Sequence, residues 1–173
     1  METPAPTFRA ARPADVPALV DLINRAYRSE ASQAGWTTEG HLLAGPRIDA
    51  ATLLAMLAAP PAVLLLAERA GGLAGCVYLE PQGPVLYLSM LAVAPAAQAH
   101  GLGRQLLAQA ERQASQADCA KIKMSVLALR TELLAWYERQ GYRRTGASEP
   151  FPDTTRFGRP RQPLTLLALE KAV

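Results

Sequence analysis

The sequence predicts an α/β (α+β) fold in which one mixed central sheet of about seven strands is flanked by about four helices. Three observations carry this. The apolar runs VLLLAER, LAGCVYLE and VLYLSMLAV, each of strand length, follow one another in the middle of the chain. Segments with helical spacing stand before and after them. The implied order β-α-α-β-β-β-α-β-α-β-β joins hairpins, whose strands are antiparallel, to a βαβ unit, whose strands are parallel. At 173 residues the chain suits a single domain spanning residues 1–173.

Thr7 to Ala11 reads as a short first strand. After Pro13, the apolar residues Val16, Leu19, Val20, Ile23 and Tyr27 recur at helical spacing. Asp15 is a candidate N-cap for that helix, Pro17 falls in its first turn, and Asp21, Asn24, Arg25 and Arg28 make its solvated face. Gly35 to Arg47, GWTTEGHLLAGPR, has no clean period and reads as a loop, with or without one helical turn. Asp49 caps a second helix that carries Leu53, Leu54 and Leu57 inward and stops at Pro60-Pro61. Ala70-Gly71-Gly72 is a hairpin turn between the first two central strands. A helix from about Gly101 to Ala117 presents Leu102, Leu106, Leu107, Ala110 and Ala114 on one face, and the strand KIKMSVL follows it. A last helix covers about Thr131 to Gln140 and ends at Gly141, before a strand beginning at Tyr142 and a final strand LTLLALEK.

Half the residues are hydrophobic and 19% are charged, which is the composition of a folded globular protein. Unbroken apolar runs such as Ala62 to Ala67 are far below the roughly 20 residues that cross a bilayer, and the start of the chain does not read as a signal peptide. The expectation is a cytoplasmic protein without a membrane partner. Cys76 and Cys119 lack metal-ligand spacing and read as buried apolar side chains, and His41 and His100 have no partner pattern, so no metal site is expected. A formal charge of +3, with 15 Arg and 3 Lys, is spread without basic blocks, which argues against nucleic acid. Alanine richness with Arg over Lys suggests a GC-rich bacterial genome.

The chemistry-bearing text is Gln98-Ala99-His100-Gly101-Leu102-Gly103-Arg104, after a strand and before an amphipathic helix. Backbone N–H groups at a helix start converge on phosphate oxygens, and glycine lets the chain approach a ligand closely. Alone, such a G-x-G serves equally as a tight strand-to-helix turn. It satisfies neither the dinucleotide fingerprint nor the P-loop pattern.

The segment resembles the acetyl-CoA pyrophosphate loop of the GNAT acetyltransferases, V-x-P-x-x-R/Q-x-x-G-x-G followed by paired leucines. Val93, Pro95, Gln98, Gly101, Gly103, Leu106 and Leu107 stand in register with it, and Ala99 replaces a frequent Gly. Trp136-Tyr137 through Gly141-Tyr142 is similar to the F/W-Y-x-x-x-G-F/Y end of the same family, with Arg130 in place of the usual Asn and Leu133 in place of a small residue. FRAARPADVPALVDLINRAYR resembles the family's first strand and helix, so the likeness covers nearly the whole chain.

The resemblance implies a GNAT fold and N-acetyl transfer from acetyl-CoA, with CoA as product. It implies that backbone groups of Met90, Leu91, Ala92 and Val93 hold the acetyl carbonyl and pantetheine. The segment Gln98, Ala99, His100, Gly101, Leu102, Gly103 and Arg104 would bind the pyrophosphate, with Arg130 and Tyr137 also at the cofactor. Tyr137 would protonate the departing thiolate, and the strand at Leu91 would stabilise the oxyanion; the alternative for Tyr137 is a helix residue packed on the core. The family's frequent Glu is Tyr87 here, which leaves Glu80, Glu39, or a water ordered by Tyr87 or Ser89 as base. Trp36, Glu39, Arg47, Tyr87, Arg156 and Phe157 would wall the acceptor pocket, the aromatics for packing and the arginines for a carboxylate; Trp36 reads equally as a plug over the core. The expected acceptor is a primary amine of a small metabolite or amino acid. A protein N-terminus or lysine, and a non-catalytic acyl-CoA-binding regulatory module, are the alternatives. A homodimer is expected by resemblance.

Overall fold

The computed structural model describes residues 4–28 and 38–173. Its strands are β1 (Thr7–Ala10), β2 (Leu43–Ala44), β3 (Val63–Arg69), β4 (Gly72–Gln82), β5 (Val85–Val93), β6 (Lys121–Leu127), β7 (Arg143–Pro150), β8 (Arg159–Pro160) and β9 (Thr165–Ala172). Its α-helices are α1 (Val16–Tyr27), α2 (Ala50–Leu57), α3 (Leu102–Gln116) and α4 (Thr131–Arg139). Seven strands form one mixed sheet, matching the mixed sheet of about seven strands that the sequence predicts; their order is β1-β3-β4-β5-β6-β9-β7, and β2 pairs with β8 in a separate two-stranded sheet.

The central strands read as continuous apolar runs because both faces of the sheet are covered. Leu64 and Leu66 of β3 pack with Val16, Leu19 and Ile23 of α1 and Leu53 of α2. Leu65 and Ala67 of the same strand pack on the other side with Leu102, Leu106, Leu107 and Ala110 of α3 and Leu134 of α4. Cys76 and Cys119 are buried free thiols, and burial pushes Cys76 up to about 12. A smaller cluster of Leu42, Leu43, Leu127 and Leu164 lies under the segments that carry β2 and β8.

Two features of β5 open the sheet. Cys76 pairs with Ala92 but Tyr78 pairs with Ser89, so Val77 alone of β4 stands opposite Met90 and Leu91. That is a β-bulge, and Met90 takes the left-handed conformation it needs, with φ +49°. On the other edge, β5 pairs in parallel with β6 only from Val85 to Tyr87, whereas β6 stays paired with β9 as far as Leu127. Beyond Tyr87 the two strands diverge, and the wedge between them is where the site lies.

Four local expectations are corrected. Asp15 makes no side-chain cap on α1; its carboxylate accepts from the Arg12 N–H at 2.7 Å and from Arg9 at 2.8 Å, so it caps the preceding short turn and anchors β1. Arg28 is not solvated: its side chain is 5% exposed and bound to Glu39. Asn24 likewise turns inward, accepting from the N–H of Arg47 and Ile48 and donating to the Ile48 carbonyl. Helical periodicity counts apolar residues and therefore places polar ones outside, which fails where a loop folds back over the helix. The strand after α4 starts at Arg143, because the Tyr142 N–H is taken up by the Tyr137 carbonyl at the end of the helix.

Candidate active site

Two cavities meet at the wedge. The larger, of about 580 Å³, lies against the start of α3 and the end of β5, and α4 forms its far wall. The smaller, of about 270 Å³, fills the gap between β5 and β6. Tyr27, Leu91, Arg130, Leu133 and Tyr137 line both, so these five residues mark the junction.

The larger cavity is built for an anion. Leu91, Ala92, Val93, Gln98, Ala99, Gly101, Leu102, Gly103, Arg104, Arg130 and Tyr137, all anticipated from sequence, line it. Ala99 and Gly101 take left-handed conformations, with φ +67° and +75°, which turns successive N–H groups of the loop to one side. The first α3 hydrogen bond runs from Gln105 N–H to Gly101 O, so the N–H groups of Leu102, Gly103 and Arg104 have no partner within the helix. A Cβ on Gly103 would meet the Trp136 ring at 3.3 Å, which explains glycine there and joins the two sequence motifs physically. Among the described lining residues there is no carboxylate, while Arg104, Arg130 and Arg139 contribute positive charge. His100 does not line the cavity; its carbonyl accepts from Arg69. Met90 faces the smaller cavity.

At the junction, Tyr137 is 5% exposed and stacks edge-on between Trp136 and Tyr142. Burial, and then proximity to Tyr27, hold its phenol well above the usual range, so it stays protonated at any ordinary pH. Tyr27, read from sequence only as a core residue, reaches across to donate a 2.8 Å hydrogen bond to the Leu91 carbonyl. Burial pushes its phenol up to about 12, against the pull of Arg47.

The smaller cavity brings together Glu39, Arg47, Tyr87 and Phe157 from the predicted acceptor set, with Ser89 and Arg28. Arg156 is exposed and does not line it, lying instead over the Phe157 ring at 5.3 Å. Trp36 falls outside the described residues. Glu39 sits between two guanidiniums, 2.7 Å from Arg28 and 3.3 Å from Arg130, all three side chains at most 7% exposed. A carboxylate held this way has both oxygens engaged by guanidiniums and acts as a structural pin. Glu80 lies in β4 opposite Tyr87 and lines neither cavity. Arg28 also donates to the Gly45 and Phe157 carbonyls, tying α1 to both segments that wall the cavity. Nothing in the local sequence distinguishes Tyr27 or Arg28 from ordinary helix residues; only the fold assembles them.

The chain belongs to the acetyltransferase (GNAT) family, whose model matches residues 17–142. It is therefore an acyltransferase that uses acetyl-CoA, and the donor set of the larger cavity fits the anionic part of that molecule. Comparison with curated protein sequences gives no match. Solved structures are similar over nearly the whole chain. The ribosomal-protein-S18-alanine N-acetyltransferase from Escherichia coli is 18% identical, with 98% of this chain and 94% of that one covered and a TM-score of 0.73. The ribosomal-protein-alanine N-acetyltransferase from Brucella melitensis is 25% identical, covering 96% and 99%, with a TM-score of 0.69. YncA from Salmonella typhimurium, a putative acetyltransferase solved with its cofactor acetyl-CoA, is 22% identical, covering 98% and 94%, with a TM-score of 0.69.

Proposed function

We propose that the protein transfers the acetyl group of acetyl-CoA to the primary amine of a small metabolite or amino acid by direct attack. The observation that carries this is the junction: the larger cavity, lined by the glycine loop and the start of α3, and the smaller cavity share Tyr27, Leu91, Arg130, Leu133 and Tyr137. Acetyl-CoA supplies a thioester whose carbonyl carbon accepts the amine. The loop from Gln98 to Arg104 and the start of α3 hold its pyrophosphate, and the bulged segment from Met90 to Val93 binds the pantetheine and acetyl groups through backbone amides. The Leu91 carbonyl is occupied by Tyr27, which fixes the peptide plane of the bulge so that its amide side serves the carbonyl oxygen. Tyr137 gives its phenolic proton to the departing sulfur. Glu39 being pinned, the ammonium proton leaves through water ordered at Tyr87 and Ser89, both of which line the acceptor cavity. At about 270 Å³ that cavity lies at the low end of small-molecule sites, which suits an acceptor of amino-acid size.

A second reading, acetylation of a protein N-terminus, draws on the likeness to the Brucella melitensis ribosomal-protein-alanine N-acetyltransferase at 25% identity. Thiol release from acetyl-CoA, measured with free amines and with peptides of the same N-terminal residue, separates the two. The small-acceptor reading expects the higher kcat/KM for free amines, and a peptide preference overturns it.

A further inference from the structure

We infer that the acceptor amine carries a carboxylate of its own and that Arg47 is the residue that binds it; this rests on the small-acceptor reading above. Tyrosines aside, the ionisable side chains lining the smaller cavity are Arg28, Glu39, Arg47 and Arg130, three guanidiniums and one carboxylate. Arg28 and Arg130 are both engaged with Glu39. Arg47 has no ion pair and no side-chain hydrogen bond among the described residues, and its Nη1 is buried without a partner. A buried donor on a charged group is costly to leave unmatched, and a guanidinium is matched best by a planar carboxylate.

The surroundings hold this guanidinium in place for a ligand. Asn24 grips the backbone at residues 47 and 48 through three hydrogen bonds of 2.7 to 3.2 Å. The guanidinium itself lies 5.5 Å from the centre of the Tyr27 ring and 5.0 Å from that of Phe157. The Tyr27 hydroxyl ends at the Leu91 carbonyl, so the cation and the bulge that receives the acetyl group are one tyrosine ring apart. A carboxylate on Arg47 therefore leaves an amine of the same small molecule facing Leu91 and Tyr137. The same excess of positive charge disfavours an acceptor that is cationic and nothing else, such as an alkyl diamine or a lysine side chain, and favours loss of the ammonium proton once bound.

The test uses matched pairs: free amino acids against their α-amides, and ω-amino acids against alkylamines of equal chain length. Binding to the CoA-loaded protein is read by calorimetry, and turnover by thiol release. A roughly 10- to 100-fold preference for the carboxylate member in one series is expected, lost in Arg47→Gln and partly kept in Arg47→Lys. Equal binding within both series, or a preference that survives intact in Arg47→Gln, overturns the inference. Carboxylate-selective binding that Arg47→Gln abolishes, without turnover on any member, supports the anion site while sinking the small-acceptor reading, so the two failures are told apart.

Discussion

The Tyr27 hydroxyl lies 2.8 Å from the Leu91 carbonyl oxygen and donates to it, linking the end of α1 to the bulge at the middle of β5. Its partner strand offers that stretch of β5 no regular pairing, because Val77 alone stands opposite Met90 and Leu91. The hydroxyl thus fixes the orientation of a peptide group that the ladder leaves loose. Tyr27→Phe removes one hydrogen bond from a half-buried carbonyl and is expected to cost about 1 kcal/mol of stability by urea titration. If the peptide plane governs catalysis, the same variant loses kcat with little change in the Kd for acetyl-CoA. Unchanged kcat would restrict Tyr27 to a packing role.

Tyr137→Phe keeps the ring packed between Trp136 and Tyr142 and deletes only the proton. A general acid of this kind contributes about 10²- to 10⁴-fold, so kcat should fall within that range while stability changes little. The pH profile gives an independent check. An acid must be protonated to act, so its activity is lost as pH rises through its pKa, and burial moves that point upward for Tyr137 and Tyr27 alike. The rate should rise as the acceptor ammonium loses its proton and then stay level past pH about 10, the usual phenol value. A falling limb below that value would show a phenol far less buried than this one.

Glu39→Gln is the sharpest test of the pinned carboxylate. It leaves Arg28 and Arg130, both buried, without their shared counter-charge, and breaking such a pair costs about 3–5 kcal/mol. Denaturant midpoints compared with wild type measure it. A loss under about 1 kcal/mol would mean that solvent reaches the pair.

Gly75 of β4 lies opposite Val93, two residues from the bulge. A Cβ there would stand 2.9 Å from the Ala92 carbonyl oxygen, with Leu106 at 3.1 Å, so the backbone of β5 must move. Gly75→Ala is expected to destabilise by about 1–3 kcal/mol and to weaken acetyl-CoA binding, read by calorimetry on the folded variant. Full affinity with normal stability would show that β5 tolerates the shift.

The sequence made the cofactor side readable because its signals are local. A loop whose φ values must be positive, a helix start and a glycine under Trp136 all lie within short stretches of chain, and their spacing is set by backbone geometry. The seven strands were readable for a similar reason, since burial on both faces writes continuous apolar runs. The acceptor side was only half readable. Arg47, Glu39 and Phe157 follow from the family resemblance, which places the acceptor pocket in the two variable segments, but Arg28 sits on what periodicity assigns to solvent, and Tyr27 on what it assigns to the core. Their roles arise from contacts 11 to 129 residues away in sequence. Arg156 shows the opposite error: a charged residue next to the right aromatic, turned to solvent.

The pairing of Leu43 with Pro160 and of Ala44 with Arg159 has a consequence for engineering. The proposed acceptor cavity is walled by two stretches of chain that share a ladder and a common arginine anchor, so neither is an independent cassette. Transplanting one from a relative would import half a ladder and misplace the other half. A graft that changes the accepted amine must carry both stretches and the residue at position 28 together.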